Sequence, residues 1–374
     1  MKILHVISDS NIGGAGVLLC NLLRHMDPER IESVVAIPRG SALGERIRAL
    51  QIPVKELKHP CQRLSLSSVL EIERLLREGN FQGVHANAAI SARIAGRRCG
   101  VSVVHTRHCC FPLEGIWKSF AIRRIGGMLN ERLSDRVIAT ADAAVEDLIR
   151  LGVPRDRIEG ILNGSDAVRE VSHDELSAFR EGFAIPREAF TVGICARLEP
   201  CKGHEVFLRA ARILCDRMPQ TPFLFLIAGD GSMKESLQRR AKEEGIAERV
   251  RFLGFLRDTA PFYRALRVNV NCSCGTETSC LAISEGMSAA LPTVVSDYGG
   301  NAAMVDHGRA GFLFCVGEAD SLADCIARIA EDRILEERMR GLALARYLEH
   351  YTAERMGSDV MKLYESLEKT TARG

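Results

Sequence analysis

The sequence lacks any long apolar run, and this absence excludes two classes of protein. No stretch approaches the roughly 18 consecutive apolar residues that a membrane-spanning helix needs. The N-terminus begins directly with a strand-like segment, residues 2–8, that is too short for the apolar core of a secretory leader. We therefore expect neither export nor a membrane span, and we predict a cytoplasmic protein.

The chain also has few aromatic residues, 5% of the total, and its 13 cysteines form no CxxC pair. Without such a pair, a zinc site or a disulfide framework is disfavoured. Four of the cysteines lie in apolar runs, as is typical of buried free thiols in a reducing compartment: Cys20, Cys195, Cys215 and Cys325. We therefore predict no metal site.

The overall composition is that of an ordinary globular protein. Of 374 residues, 46% are hydrophobic and 26% are charged, and the mean hydropathy is −0.01. These values exclude a disordered chain, and the length suffices for two domains with separate cores.

Positive charge is concentrated between residues 93 and 136, where nine basic side chains face three acidic ones. This excess predicts an anionic partner. Because no stacking aromatic residues are interleaved with the charges, nucleic acid is disfavoured against a phosphorylated acceptor or an anionic lipid. Residues 117–129 mix bulky apolar and basic side chains, which predicts either an interfacial helix with at most peripheral membrane contact or a helix beside an acceptor groove.

Short apolar runs alternate with longer segments of helical period along the whole chain, a pattern typical of parallel βαβ units. We predict an α/β protein with two tandem, doubly wound, Rossmann-like domains. The predicted strands are Ile3–Ser8, Ser33–Pro38, Val54–Leu57, Gly83–Ala86, Val101–Thr106, Arg136–Thr140, Thr191–Ala196, Phe223–Ala228, Arg251–Leu253, Val268–Cys272, Thr293–Ser296 and Gly311–Phe314.

The domain boundary is predicted just after Asn163-Gly164-Ser165-Asp166, because Asn-Gly is a turn signal and the segment that follows is polar. The first domain is then 1–166 and the second is 167–351. The tail from Thr352 onward has a helical period.

Glycines follow the first predicted strand and precede an amphipathic run. A glycine-rich turn at Gly13 and Gly14 lets the backbone approach a ligand and directs helix N–H groups at an anion or a sugar. The spacing is not GxGxxG and no acid closes Ser33–Pro38, so binding of a nicotinamide dinucleotide is disfavoured. A tight strand–helix turn without a ligand is the alternative.

Two glutamates in the second half are spaced for a nucleotide sugar. If a helix begins near Thr278, Glu277 lies at its N-terminal end and Glu285 lies roughly 12 Å further along the axis. The helix N-terminus would face the diphosphate, Glu285 the ribose and Glu277 the donor sugar. The alternative is a capping acid and a solvated helical glutamate.

Two cations follow the first strand of the second half. Arg197 and Lys202 frame a short loop after Thr191–Ala196. At the carboxyl end of a strand they can neutralise the charge that develops on a departing diphosphate. Their alternative role is surface solubility.

Taken in order, these motifs resemble the retaining glycosyltransferases of family 4, which have the GT-B fold. The resemblance covers nearly the whole chain and rests on the following segments: Gly13-Gly14-Ala15, Val84-His-Ala-Asn87, Thr106-Arg-His108, Ala139-Thr-Ala-Asp142, Asn163-Gly164-Ser-Asp166, Arg197 with Lys202-Gly203, Ala228-Gly229-Asp230-Gly231, Phe252-Leu-Gly254, Glu277 with Glu285, and Ser296-Asp-Tyr-Gly299-Gly300-Asn301.

The resemblance implies transfer of a sugar from a nucleotide-diphosphate sugar, with UDP the expected nucleotide, to a glycan or lipid-linked acceptor in cell-envelope polysaccharide or lipopolysaccharide biosynthesis. It implies an acceptor-binding first domain, a donor-binding second domain, reaction in the cleft between them, and a C-terminal helix that crosses back to the first domain. The implied donor-binding residues are Gly14, Arg197, Lys202, Gly229, Gly254, Thr278, Ser279, Cys280, Leu281 and Glu285.

The resemblance further implies a same-face mechanism in which the leaving diphosphate helps to deprotonate the acceptor, so no side-chain nucleophile is needed. The expected catalytic residues are Glu277, His108, Arg197 and Lys202. His108 is preferred over His85 and over His105, which is expected to pack inside its strand. The family works without a bound metal or permanent cofactor, and this chain has no Asp-x-Asp for Mg²⁺.

One position departs from the family. An acid usually follows the glycine pair, and this chain has Ala303 there. Loss of that polar contact would alter donor use or leave a catalytically silent subunit that binds nucleotide and supports a partner enzyme. A phosphorylase and a nicotinamide oxidoreductase are the further alternatives.

Overall fold

The computed structural model describes residues 1–9, 13–59, 64–108, 120–275 and 278–371. The chain divides into two compact units. Unit 1 contains residues 1–165 and 352–374, and unit 2 contains residues 166–351.

Unit 1 is built on a seven-stranded parallel sheet in the order β3-β2-β1-β4-β5-β6-β7. Its strands are β1 (Lys2–Ile7), β2 (Glu32–Pro38), β3 (Val54–Leu57), β4 (Gly83–Asn87), β5 (Ser102–Arg107), β6 (Arg136–Ala139) and β7 (Ile158–Gly160). Its helices are α1 (Gly14–Arg24), α2 (Leu43–Ala49), α3 (Leu66–Glu78), α4 (Ile90–Cys99), α5 (Phe120–Leu133), α6 (Asp142–Arg150) and the C-terminal α15 (Ala353–Thr371).

Unit 2 has a six-stranded parallel sheet in the order β10-β9-β8-β11-β12-β13. Its strands are β8 (Phe190–Cys195), β9 (Phe223–Ala228), β10 (Val250–Gly254), β11 (Val268–Asn271), β12 (Thr293–Ser296) and β13 (Gly311–Phe314). Its helices are α7 (His173–Gly182), α8 (His204–Arg217), α9 (Lys234–Glu243), α10 (Ala260–Ala265), α11 (Leu281–Ser288), α12 (Asn301–Met304), α13 (Ala319–Glu331) and α14 (Arg333–His350).

Strand burial explains why the apolar runs became strands. All six residues of β9 are buried, as expected for a central parallel strand covered by helices on both faces. Side chains on one face of β8 and β9 meet α8 and α13 in the core of unit 2, where Phe207 and Phe225 pack edge to face at 5.8 Å between ring centroids.

The C-terminal helix α15 packs on unit 1. The Tyr364 hydroxyl is 2.5 Å from Nδ1 of His85 on β4. The backbone is also close, because a Cβ added to Gly357 of α15 would lie 2.8 Å from the carbonyl oxygen of His25. The last helix is therefore part of the N-terminal unit although 186 residues of unit 2 precede it.

The predicted fold class is confirmed: both units are α/β with parallel sheets. Each of the predicted strands overlaps an observed one. The sequence analysis missed β7, whose three residues, Ile158 to Gly160, pair with β6 at the edge of the sheet. A three-residue segment containing a glutamate carries too little periodicity to be recognised.

Candidate functional site

Each sheet has one place where its strand order reverses. In unit 1 this is between β1 and β4, and in unit 2 it is between β8 and β11. In doubly wound sheets, ligands bind outside the carboxyl ends of the strands at such a switch point. The fold therefore points to two loop clusters, one in each unit.

In unit 2, the loop after β8 carries both predicted cations. Arg197 is exposed, and Lys202 is half-buried at the end of a single 3₁₀ turn, Pro200–Lys202. Gly203 follows with φ +69°, and a Cβ there would lie 2.1 Å from the carbonyl oxygen of Cys272. Only glycine lets this loop pass so close to the end of β11.

An asparagine at the end of β11 organises the next loop. Oδ1 of Asn271 accepts hydrogen bonds from the backbone N–H of Ser273 at 3.1 Å and from Nδ2 of Asn301 at 3.2 Å. Nδ2 of Asn271 lies 3.2 Å from Sγ of Cys280, just before α11. The Asn271 side chain thus contacts the loop between β11 and α11 near its start, at Ser273, and near its end, at Cys280.

Helix α11 begins at Leu281, so the predicted start near Thr278 is wrong by three residues. Thr278 and Ser279 are buried before the helix, and Cys280 is extended, with φ −80° and ψ 121°. The contact of Cys280 with Asn271 stabilises this extended conformation. Glu285 consequently lies about one turn inside the helix, and the predicted Glu277 lies outside the described residues.

Glu285 is the acidic side chain that the structure describes on α11 at this site. The residue is half-buried, and its Oε2 accepts a 2.8 Å hydrogen bond from the hydroxyl of Tyr263, which is fully buried. Burial raises the pKa of Glu285 to about 7, opposed by the Tyr263 hydrogen bond. Burial, with the Glu285 charge second, raises the pKa of the Cys195 thiol to about 12.

The two predicted glycines at the ends of β9 and β10 are joined by a backbone hydrogen bond. The N–H of Gly229 donates to the carbonyl of Gly254 at 2.8 Å. A Cβ on Gly229, at φ +139°, would lie 1.9 Å from the carbonyl oxygen of Ala196, whereas a Cβ on Gly254, at φ +70°, would meet nothing within 4 Å. Gly229 is therefore required for close packing beside β8, and Gly254 only for its backbone conformation.

At the switch point of unit 1, Gly14 is the first residue of α1. A Cβ on Gly14 would meet nothing within 4 Å, whereas one on Gly13 would lie 2.9 Å from Oδ2 of Asp9. The open space at Gly14 leaves room for a ligand but does not require glycine.

Histidines dominate the carboxyl ends of β4 and β5. Nε2–H of the predicted His108 donates to Oδ1 of Asn87 at 3.0 Å. His85 has its two ring nitrogens 2.5 Å from the Tyr364 hydroxyl and 2.6 Å from Oγ1 of Thr106. Burial lowers the pKa of His108 to about 4 and the pKa of His85 well below its usual value, so both are neutral at pH 7.

Two further histidines complete this cluster. Burial lowers the pKa of His5 and of His105 to about 3 in each case. His5 is fully buried beside the His85 ring, at 5.5 Å between centroids, and His105 Nδ1 lies 3.1 Å from the carbonyl oxygen of Ala86. The side chains that position His108 and Glu285, namely Asn87 and Tyr263, were not identified from the sequence. Tyr263 belongs to no motif, and Asn87 closes the segment Val84-His-Ala-Asn87 without a role of its own being predicted.

The basic segment is partly neutralised within unit 1. Four of its arginines pair with acids: Arg97 with Asp135, Arg98 with Glu73, Arg107 with Asp147 and Arg136 with Glu159. Arg93 instead bonds the neutral side chains of Ser134 and Asn130. On α5, Arg124 and Arg132 are exposed, and so are Ile125 and Met128.

The residues that the structure describes offer neither a metal-binding cluster nor a membrane-spanning helix. Those residues contain no group of three or more His, Cys, Asp or Glu side chains arranged to hold a metal ion. Nor is any helix among them both long and apolar enough to cross a bilayer.

Two family descriptions match the chain, one for each unit. Residues 12–169 match "Glycosyltransferase Family 4", and residues 189–332 match "Glycosyl transferases group 1".

Proteins similar in sequence are also named as glycosyltransferases. The chain is 29% identical over 307 residues to D-inositol 3-phosphate glycosyltransferase of Streptomyces avermitilis, covering 77% of this chain and 66% of that protein. The chain thus spans just under two thirds of the length of that relative. It is 27% identical over 312 residues to the UDP-Gal:alpha-D-GlcNAc-diphosphoundecaprenol alpha-1,3-galactosyltransferase of Escherichia coli, covering 80% of this chain and 79% of that one.

Among solved structures, Anabaena Alr3699/HepE in complex with UDP is similar to this chain. The TM-score is 0.85 at 24% sequence identity, with 98% of this chain and 100% of that one covered. A likeness at this identity shows the shared fold.

Proposed function

The chain belongs to the glycosyltransferases of family 4 and group 1, and on that premise we propose that it transfers a sugar from a UDP-sugar to a glycan or lipid-linked acceptor with retention at the anomeric carbon. The observation that carries the proposal is the switch point of unit 2. There the loop after β8, with Arg197 and Lys202, lies against the end of β11, and Glu285 on α11 accepts a hydrogen bond from Tyr263.

The donor nucleotide is proposed to bind at this switch point. Arg197 and Lys202 supply positive charge for the diphosphate, and they take the place that a divalent cation has in metal-dependent transferases. One oxygen of the Glu285 carboxyl group accepts a hydrogen bond from Tyr263. The other oxygen is proposed to accept hydrogen bonds from the ribose hydroxyls. Gly229, Gly254 and residues 278–281 are proposed to contact the rest of the nucleotide.

Relatives support the choice of donor. The Anabaena protein has been crystallised with UDP and also with UDP-glucose, and the Escherichia coli relative is named for a UDP-galactose donor and a diphosphoundecaprenol-linked acceptor. We therefore propose cell-envelope polysaccharide or lipopolysaccharide synthesis in the cytoplasm as the setting.

The acceptor is proposed to bind to unit 1 near His108. Asn87 accepts from Nε2–H of His108, and burial lowers the pKa of His108 to about 4, so the imidazole is neutral near pH 7. A neutral imidazole suits hydrogen bonding to a sugar hydroxyl, and the leaving diphosphate is the proposed base for the acceptor. Glu277 is proposed to hold the donor sugar.

A thermal-shift screen tests the donor site. Purified protein is heated with UDP, GDP, ADP, CMP, dTDP or NAD, with Glu285→Ala in parallel. A ligand that binds the folded state raises Tm with the logarithm of its concentration over Kd. We expect UDP to raise the Tm of the wild type and to lose this effect in Glu285→Ala. A response to NAD alone, or to none of these ligands, would overturn the assignment.

Turnover separates an active enzyme from a silent subunit. An active transferase releases UDP from a UDP-sugar when acceptor is present, and the Glu277→Ala variant abolishes this release. A silent subunit would bind UDP with equal affinity in both proteins and release none.

Peripheral contact with an anionic membrane is proposed for α5. Gly127 faces inward, since a Cβ there would lie 2.1 Å from the carbonyl oxygen of Gly152, and Ile125 and Met128 are 57% and 46% exposed. Exposed apolar side chains beside basic ones are typical of an interfacial helix. We expect flotation with anionic vesicles at low salt to be lost in Ile125→Glu. Wild-type protein that stays entirely in the soluble fraction would contradict the proposal.

A further inference from the structure

Two exposed thiols lie side by side at the switch point of unit 2, where the proposed function places no role for either. Cys201 lies in the loop between Arg197 and Lys202, and Cys274 lies in the loop after β11. Both are free and exposed.

The two loops lie against each other at this place. A Cβ on Gly203 would lie 2.1 Å from the carbonyl oxygen and 2.8 Å from the Cβ of Cys272. The N–H of Cys274 donates to the carbonyl of Cys201 at 2.9 Å. Cys201 and Cys274 are therefore neighbours across the two loops.

Side-chain contacts agree with this pairing. Sγ of Cys274 is 3.7 Å from the carbonyl oxygen of Cys201. A Cβ on the next residue, Gly275, would lie 2.7 Å from Cβ and 3.6 Å from Sγ of Cys201. The 2.9 Å backbone hydrogen bond and the 3.7 Å sulfur contact thus make the two cysteines immediate neighbours, as a disulfide requires of its residues.

We propose that Cys201 and Cys274 form a reversible thiol–disulfide pair that responds to peroxide. One thiol is oxidised by hydrogen peroxide to a sulfenic acid with release of water. The other thiol then attacks this sulfur, which forms the S–S bond and releases a second water. A dithiol reductant reverses the reaction: both cysteine thiols are restored, and the reductant is oxidised to its own disulfide.

Two buried cysteines at this site, Cys195 and Cys272, are poor candidates for the reaction. Burial raises the pKa of Cys272 above its usual value and that of Cys195 to about 12, so neither is present as the reactive thiolate near pH 7. Cys315 is also exposed and free in unit 2, and it serves as the matched control for exposure alone.

The functional consequence rests on the proposed donor site. The bond would tie the loop of Arg197 and Lys202 to the loop that precedes α11, and both loops must adjust to a diphosphate. We therefore expect the oxidised protein to bind UDP at least tenfold more weakly than the reduced protein.

Mass spectrometry tests the bond itself, independently of the nucleotide. After mild peroxide treatment of the full-length native protein, followed by alkylation and trypsin, residues 198–202 contain Cys201 alone, and residues 268–309 contain Cys272, Cys274 and Cys280. We expect these two peptides to be crosslinked in the wild type and in Cys315→Ser, and the crosslink to be absent in Cys274→Ser and in Cys201→Ser. A crosslink that survives Cys274→Ser, or its absence from the wild type, would overturn the proposal.

A UDP titration tests the consequence. Reduced wild type, Cys201→Ser and Cys274→Ser are expected to bind UDP alike, and peroxide is expected to weaken binding in the wild type only, with recovery after dithiothreitol. If the crosslink forms and UDP affinity is unchanged, the proposed consequence is wrong. If the reduced wild type does not bind UDP, the proposed donor site fails while the disulfide result still stands.

Discussion

The two switch points have the same topology and opposite chemistry. At the unit 1 site, burial lowers the pKa of His5, His85 and His108. At the unit 2 site, burial raises the pKa of Glu285 to about 7. In each case desolvation disfavours the charged form, so a base loses affinity for its proton and an acid gains it. One fold thus provides a neutral, hydrogen-bonded site in unit 1 and a site with accessible cations in unit 2.

The largest expected effect separates the two sites by their backbones. Gly229→Ala in unit 2 places a Cβ against the Ala196 carbonyl, and we expect it to lower the free energy of unfolding by roughly 2–4 kcal/mol. Gly14→Ala in unit 1 meets open space and should change it by less than about 1 kcal/mol. Urea unfolding of both variants measures the difference. Equal decreases in the free energy of unfolding in Gly229→Ala and Gly14→Ala would contradict this difference between the two glycines.

The second prediction concerns stability at acid pH. The buried histidines of unit 1 should lower the free energy of unfolding as the pH falls. A histidine whose folded pKa lies below its unfolded value of about 6.5 stays neutral in the folded state while the unfolded state takes up a proton. Stability is therefore complete above pH 6.5 and falls as the pH falls below it. Each such histidine should cost roughly 1–2 kcal/mol between pH 6.5 and 5.

Urea unfolding at pH 7.5 and 5 measures this effect. His85→Gln should reduce the acid loss of the wild type, whereas His173→Gln, at an exposed histidine of unit 2, should leave the loss unchanged. Equal acid losses in all three proteins would remove the histidine cluster as the cause. His204 of unit 2 is also buried, with its pKa lowered to about 4, so its own acid loss should remain in any unit 1 variant.

Glu285 should give the opposite pH dependence. Its folded pKa of about 7 lies above the unfolded value of about 4.5, so the folded state holds the extra proton between these values and stability falls as the pH rises through this range. In the wild type, the free energy of unfolding should fall by roughly 1–3 kcal/mol between pH 5 and 8 because of Glu285, and Glu285→Gln should abolish this fall. Tyr263→Phe removes a hydrogen bond that lowers the pKa of Glu285. In this variant the folded pKa of Glu285 should therefore rise further, and a smaller fraction of Glu285 should be ionised at pH 7. A variant that keeps the slope of the wild type would contradict the assignment.

The smallest expected effect is at Asn87. Asn87→Asp places a carboxylate where Oδ1 now accepts from His108, and an adjacent negative charge favours the protonated imidazole. We expect the pKa of His108 to rise by roughly 1 unit, followed by NMR of histidine labelled at Cε1. Asn87→Ser serves as the uncharged control, and an unchanged pKa in the Asp variant would show that the two side chains are not partners in solution.

Much of the fold could be predicted because it depends on local apolar periodicity. Fully buried strands such as β9 are recognisable as continuous apolar runs. β7 was not recognisable, because three residues at a sheet edge leave no period. The start of α11 was misplaced because Asn271, a residue of the preceding strand, holds Cys280 extended, and such a contact leaves no trace in a local pattern.

The candidate site was partly predictable for the same reason. Lys202-Gly203 and Gly229 belong to short motifs whose spacing survives in sequence, and the structure gives both glycines a steric reason. The partners Tyr263 and Asn87 come from other strands and helices and are brought in only by the tertiary fold. The pairing of Cys201 with Cys274, 73 residues apart, likewise depends on the neighbouring positions of β8 and β11.

Hydrogen–deuterium exchange with and without UDP tests the central claim most directly, because it reports which switch point the nucleotide occupies. We predict that UDP slows exchange in residues 197–203 and in the first turn of α11, and leaves the ends of β4 and β5 in unit 1 unchanged. Protection confined to residues 13–17 and 85–108, with none in unit 2, would contradict the account.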